Sequence, residues 1–303
     1  MPATSIRDLV VKDDDLVIGT HGRSFWILDD IKLLRQISFR DHTKDVVLYR
    51  PQNAYRVRWD MNTDTPLPQE EPAGQNPPDG AIIDYYLKDK AQGEVFLEIS
   101  DSTGGLVRRY SSSEKQYSIP PVNIPLYWVR PQQVLSTDPG SHRFLWDMHY
   151  TPLDIPVSFP MSAIYEDTPP RKTSPWVLPG TYTIRLIVDD MVYTQPMVVK
   201  MDPRVKTTAR DLKSQFELSF MCYNERIQAR EAMAEIDRFG EQMGELLPKA
   251  LPELSAQLRG LQQQASDLRN GAQGGKGQNF SRTERSFATV FGILQGAPRY
   301  LSP

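Results

Sequence analysis

The sequence predicts a multidomain chain, mainly β and then α. A partial sheet occupies residues 1–50, a β-sandwich of immunoglobulin type residues 51–202, and a helical bundle residues 203–303. Three observations carry this expectation. Short alternating or β-branched runs, separated by Gly, Asp and Pro, fill the first 200 positions. Most of the 25 prolines fall between Pro51 and Pro203, which suits short strands joined by irregular loops better than parallel α/β units. From Thr208 onward the apolar residues recur at three- and four-residue steps. A length of 303 residues accommodates two or three domains.

In the first region "SIRDLVV" (Ser5–Val11), "LVIGT" (Leu16–Thr20) and "SFWILDD" (Ser24–Asp30) read as three strands. The acidic turn Asp13–Asp15 and the turn "HGR" separate them, so an antiparallel meander is expected. Gly22 is expected to supply a positive φ in the second turn. Val10, Val17, Ile18, Phe25, Trp26 and Ile27 give this small sheet more apolar surface than three strands can cover by themselves.

The second region carries about seven short strands. They are expected near Ala54–Trp59, Ala81–Leu87, Gly93–Ser100, Leu106–Tyr110, Ser141–Asp147, Gly180–Val188 and Val192–Lys200. "DSTGG" (Asp101–Gly105) is a hairpin turn, and Tyr182, Ile184, Leu186 and Val188 alternate onto one face. That number of strands with turn signals between them describes an immunoglobulin-type sandwich. Thr63–Gly80 is a proline-rich connection. Ser112–Gly140 and Thr151–Pro179 are longer than the sandwich needs, and are expected to lie over its surface or against a neighbouring domain.

In the third region Thr208 with Asp211 resembles a capping box with Asp in place of Glu. Leu212, Phe216, Phe220, Tyr223 and Ile227 form a helical stripe that runs to about Leu247, before Pro248. A second helix is expected over Glu253–Leu268, marked by Leu254, Leu258, Leu261 and Leu268. The Gly-rich loop Arg269–Asn279 follows. Ser281–Glu284 reads as a capping box opening a third helix to about Leu294, and three helices joined this way suggest an up-down bundle.

Composition excludes several function classes. The net charge of −3 implies neither nucleic acid nor a membrane surface. From residue 207 onward 12 Lys and Arg stand against 11 Asp and Glu, so the helices have no basic face. Cys222 is the single cysteine, so no intrachain disulfide forms and it reads as a small buried hydrophobe. No Cys/His spacing for zinc occurs, and no apolar run approaches the ~18 residues of a membrane span. The N-terminus lacks the series of a signal peptide, so any export signal of a parent protein is expected outside this chain.

Several stretches together resemble one family. "PATSIRDLVV" and "DLVIGTHGRSFWILDD" resemble the last repeat of bacterial proteins with sortilin-like (VPS10-type) BNR-repeat β-propellers, often labelled glycosyl hydrolases. "GSHRFLWDMHY", "LPGTYTIRLIVDD" and "YTQPMVVKMDPRV" resemble the region after that propeller, which is similar to the FlgD/fibronectin-like sandwich. "FELSFMCYNE" resembles the family's C-terminal helical segment. The resemblance implies that the opening strands are the remnant of a last blade and that a propeller of the same parent protein is their partner. It also implies an exported, periplasmic or extracellular parent. The chain departs from the pattern in three ways. No segment matches the aspartate box S-x-D-x-G-x-x-W. A propeller of at least about four blades of ~40 residues needs far more chain than the roughly 50 residues before the sandwich. The last hairpin has Asp189–Asp190 where the family has Asp-Gly, so its turn is expected to differ in type.

Four residues are candidate ligand contacts. His21 and Arg23 flank Gly22, and an Arg at a propeller mouth grips a carboxylate bidentately; as plain turn residues they are solvated. Trp128 and Trp176 lie in the long loops and could stack on a glycan or dock against protein. Trp146 reads as core. Asp29 and Asp30 are adjacent on a strand and so cannot face one sugar together, as paired glycosidase carboxylates must. No catalytic set, metal site or cofactor is expected. The leading expectation is an accessory region that supports a propeller and mediates protein or glycan contacts. The alternatives are a part of a glycoside hydrolase whose active site lies in the propeller, and a carbohydrate- or peptide-binding module.

Overall fold

The computed structural model describes residues 3–38, 43–58, 77–122, 124–159, 167–272, 277 and 279–296. The protein is mixed α/β: several β-sheets, one curled into a half-barrel, fill the N-terminal two-thirds, and three helices follow. Two compact units are present. One comprises residues 1–172 and 177–206, the other residues 173–176 and 207–303. His42, Trp59, the connection Thr63–Gly80 as far as residue 76, and much of the loop Arg269–Asn279 lie outside the described residues.

The first unit opens with β1 (Ile6–Lys12), β2 (Asp15–Thr20) and β3 (Phe25–Leu28), an antiparallel meander as expected. A two-residue turn, with Asp13 at φ 55°, joins β1 to β2. The second turn uses two positive φ values, at Gly22 and Ser24, where one glycine was expected. The chain leaves β3 through Asp30 and Ile31 into a single helical turn, α1 (Lys32–Gln36). Gln36 clamps Arg50 by accepting from its N–H and donating to its carbonyl, both at 2.9 Å.

Two further sheets carry the core. One has the order β4-β6-β9, from β4 (Val46–Leu48), β6 (Ala81–Leu87) and β9 (Gly140–Trp146). The other has the order β5-β11-β10-β7-β8, from β5 (Ala54–Arg56), β7 (Phe96–Ser100), β8 (Leu106–Ser111), β10 (Gly180–Val188) and β11 (Met191–Met201). All pairings are antiparallel except β5 with β11, which is parallel. The inner faces meet. Tyr110 on β8 lies edge-on to Phe144 on β9 at 4.7 Å, and Trp146 on β9 meets Tyr182 on β10 at 5.6 Å. Gln195 on β11 donates Nε2 to the Leu48 carbonyl of β4 at 3.0 Å. Tyr182, Ile184, Leu186 and Val188 are all buried, as their alternation requires. β4 lies before residue 51 yet pairs with β6; three residues are too few to show a period.

Two turns illustrate how local chemistry sets this unit. Gly80 has φ 140°, and a Cβ there would sit 2.6 Å from the Trp146 carbonyl oxygen, so only glycine fits beside β9. In the β10–β11 hairpin Asp189 and Asp190 both take positive φ, 47° and 64°, between the paired Val188 and Met191. That is the type I′ conformation Asp-Gly would adopt, so the expected change of turn type does not occur. Asp189 Oδ1 accepts from the N–H groups of Gln92 and Gly93, both at 2.9 Å, which ties the turn to the start of the β7 hairpin. The long loops also pair with each other: Val129 bridges Thr168 in parallel, and Arg130 pairs with Asp167 at 2.6 Å.

The second unit is built on α2 (Ala209–Leu246). Thr208 caps it as expected: its Oγ1 accepts from Asp211 N at 3.2 Å and donates to Asp211 Oδ2 at 2.8 Å. α3 (Pro252–Asn270) and α4 (Phe280–Gly296) follow. Their contacts with α2 run Asp237–Arg269, Met233–Ser281, Arg226–Glu284 and Gln215–Leu294. α3 and α4 therefore run in series, both antiparallel to α2, and the three helices make one layer two helices wide where an up-down three-helix bundle was expected. The cap of α4 also moves. Asn279 Oδ1 accepts from Arg282 N at 2.9 Å, and Ser281 lies inside the helix. Glu284 pairs with buried Arg226 at 2.9 Å instead of reaching back to a cap. No helix among the described residues is long and apolar enough to cross a membrane.

Asp190→Gly is expected to stabilise the protein by about 1 kcal/mol, because glycine removes the cost of a left-handed residue. Asp189→Gly removes the acceptor for Gln92 and Gly93 and is expected to give no such gain; chemical denaturation of the two variants measures the difference. In the helical unit, Glu284→Leu leaves the Arg226 guanidinium buried without its carboxylate and is expected to cost about 3–5 kcal/mol. The double variant Arg226→Leu/Glu284→Leu should recover most of that loss, read by a double-mutant cycle in urea.

Candidate functional site

The four candidate residues belong to three different segments. His21 and Arg23 are exposed at the β2–β3 turn. Their backbones hold the turn: His21 N donates to Ser5 O at 2.9 Å, and Trp26 Nε1 donates to Arg23 O at 2.9 Å. Trp128 is half-buried in a single 3-10 turn, and its carbonyl accepts from Thr168 N at 2.9 Å. Trp176 belongs to the other compact unit, where its N–H donates to Gln295 Oε1 at 3.4 Å. Trp146 is fully buried, and its Nε1 donates to the His149 carbonyl at 3.1 Å, so it is a core residue as expected.

Asp29 and Asp30 lie just past the end of β3. Asp30 is buried and accepts from Lys32 N at 3.0 Å, while its own N–H donates to Asp15 Oδ1 at 3.0 Å. Burial raises the pKa of both carboxyls. Arg143 stands opposite, on β9, bound bidentately to Asp84 at 2.9 and 3.0 Å and reaching the Asp30 carbonyl at 3.5 Å. These groups anchor the strand that leaves the opening sheet.

Another set of interacting titratable side chains, which sequence reasoning did not single out, lies at the end of β9. β9 ends in Trp146, and Asp147–Met148–His149 then turn sharply, with Met148 at φ 55°. His149 is buried, and its Nδ1–H donates to the Asp147 carbonyl at 2.6 Å. Donation to a carbonyl places a proton on Nδ1. The Asp147 carboxylate takes Lys172 Nζ at 2.5 Å and the His149 N–H at 3.2 Å. Burial pushes the His149 imidazole down to about 4, against the Asp147 charge, so it is neutral at pH 7. Burial alone would raise Asp147, but the Lys172 charge and its hydrogen bond outweigh it and hold the carboxylate below its ordinary range. Arg108 lies at the edge of this group, over the Tyr110 ring at 4.5 Å and 3.6 Å from Glu114.

This arrangement orients a neutral imidazole and neutralises one carboxylate with one ammonium. Its polar groups are directed at one another, and it fixes the corner where β9 leaves the core. Asp147 and His149 stand two residues apart in "WDMHY", which is a legible hint. Lys172 lies 25 residues further on, and no local pattern links it to them. Among the described residues no group of three or more His, Cys, Asp or Glu side chains is placed to hold a metal ion.

The shifted imidazole has a stability consequence with a definite sign. His149 binds a proton at about pH 4 when folded and at 6.5 when unfolded. Its contribution is fully present above pH 6.5 and is lost as pH falls from 6.5 towards 4, by about 3 kcal/mol in total. His149→Asn keeps a donor for the Asp147 carbonyl and removes the titration. That variant is expected to show a flatter stability profile between pH 6.5 and 4 in urea titrations.

Comparison of the chain with protein families, with curated proteins and with solved structures finds no match.

Proposed function

We propose that this chain is a non-catalytic accessory region of a sortilin-like BNR-propeller protein. It supports the propeller through its opening sheet and makes protein or glycan contacts through the domains that follow. The observation that carries this reading is the opening sheet's exposure on both faces. The register puts Leu9, Ile18 and Trp26 in one row, with Val11, Leu16 and Leu28 two residues along on the same face. The other face carries Val10, Val17 and Ile27, with Phe25 beside them. Every residue of β1 and β3 is exposed, including Phe25 at 79 % and Ile27 at 61 %.

A sheet that is apolar on both faces suits a position between two layers, as strands buried on both sides do. Covering each Leu, Ile, Val or Phe fully is worth about 1.5–3 kcal/mol, so two covering layers would add substantially to a marginal stability. A propeller blade has such a place, packed face to face between its neighbours. In this reading β1–β3 belong to a last blade. The two facing sheets are an immunoglobulin/fibronectin-like sandwich of the FlgD-like type, a reading supported by the hairpins β7–β8 and β10–β11 and by β5 lying parallel at the edge. The helices are the accessory segment that follows.

Hydrogen exchange tests the docking. Residues 6–28 should exchange fast in the isolated chain and slow down when the propeller of the same parent protein, produced separately, is added. Slow exchange of this stretch in the isolated monomer, or no change on adding the propeller, overturns it. Aryl glycosides should not be turned over by the purified chain; robust hydrolysis would sink the non-catalytic reading.

A further inference from the structure

One side of the helical unit carries a run of exposed apolar residues. At 3.6 residues per turn, α3 seats Ser255, Leu258, Gln262 and Ala265 against α2, and Ala265 is its one buried residue. Leu254, Leu261 and Leu268, spaced by seven, project from one flank of that seam and are exposed. Leu246 of α2 is exposed on the same side. Further along the layer, the same side carries Leu218 and Met221 of α2 and Val290 and Ile293 of α4, also exposed. The opposite flank of the α2–α3 seam is a polar groove, lined by the Asp237–Arg269 ion pair, Arg259, Gln263 and Ser266.

We propose that the apolar side is a homodimer interface, on which a second copy of the chain lays its own α2–α3–α4 layer to close a four-helix bundle. Each layer of two helices has an apolar stripe that must be buried against another element. Three properties of this side favour a second copy over a different protein. The first is size. α2 has 38 residues and is about 57 Å long at 1.5 Å per residue. With an interaxial spacing of about 10 Å, the groove alone covers on the order of 600 Å² per copy, and flanking side chains bring it near the about 800 Å² per partner of a stable interface. The second is charge. In a two-fold contact a rim meets itself, so a strongly charged rim repels. Here the α3 edge is neutral, with Gln257 and Gln264, and the α2 edge carries Gln242 and Glu235; a single carboxylate, Glu225, falls within the stripe, seven residues after Leu218. The third is matched period. The 38 residues of α2 run against the 19 of α3 and the 17 of α4, so two identical layers align their stripes over the whole length.

Sedimentation equilibrium of the full chain over a concentration series tests this. The chain is expected to be a dimer, and Leu261→Glu is expected to weaken association more than about tenfold by placing a charge in the apolar seam. Far-ultraviolet circular dichroism should keep its helical signal. Val290→Glu, at the other end of the same side, should have the same effect, which guards against one variant simply failing to fold. Gln263→Glu, on the polar side, should leave the dimer intact. A monomeric wild-type chain overturns the proposal. So does a dimer that survives both Leu261→Glu and Val290→Glu, or one lost on Ile27→Glu, which would place self-association in the opening sheet.

Discussion

Strand β6 is buried on both of its faces, and the rest of the first unit is arranged around that fact. On one side Ile83 and Ala81 stand beside Phe144 and Trp146 and face the five-stranded sheet. On the other side Asp84 is a buried carboxylate, which is costly without a paired cation. Arg143, its register neighbour on β9, supplies that cation bidentately. The same guanidinium reaches the Asp30 carbonyl, and Ile31 is buried beside it. A single ion pair thus satisfies the buried face of a central strand and positions the segment through which the opening sheet joins the core.

Against this well-covered centre, two surfaces stand out because their apolar residues are exposed. One is the opening sheet, apolar on both faces. The other is one side of the helical unit. Scattered exposed leucines are ordinary on protein surfaces, whereas contiguous apolar patches mark interaction sites. The two surfaces differ in what suits them. A sheet exposed on both faces fits between layers of other sheets, and a single helical layer with one apolar side fits a second helical layer.

The polar cluster at Asp147, His149 and Lys172 belongs to the same logic. Its hydrogen bonds turn inward and close the sharp corner at which β9 leaves the core, with Met148 in a left-handed conformation. A neutral imidazole held by a backbone carbonyl, next to a carboxylate held by a lysine, costs less to bury than either charge alone. The consequence is acid sensitivity in the folded core.

Much of the architecture was legible in the residue order. Alternation places Tyr182 to Val188 on one face of β10, and the Thr208–Asp211 cap opens α2, because both depend on contacts within a few residues. The positive-φ turns at Gly22 and Asp189–Asp190 were legible as turns for the same reason. Elements too short to show a period, β4 and α1, were not. Tertiary partners decided the remainder. Ser281 and Glu284 have the spacing of a capping box, but Arg226, 58 residues earlier, claims Glu284, and Asn279 becomes the cap. Leu254, Leu261 and Leu268 have core spacing, yet the seam with α2 runs through Leu258 and Ala265 and leaves them outside. Lys172 joins Asp147 from a long loop 25 residues further along the chain. Periods, caps and turns follow from residue order, because they are local free energies. Which apolar stripe is covered and which carboxylate meets which cation depends on packing, because those choices bring together residues far apart along the chain.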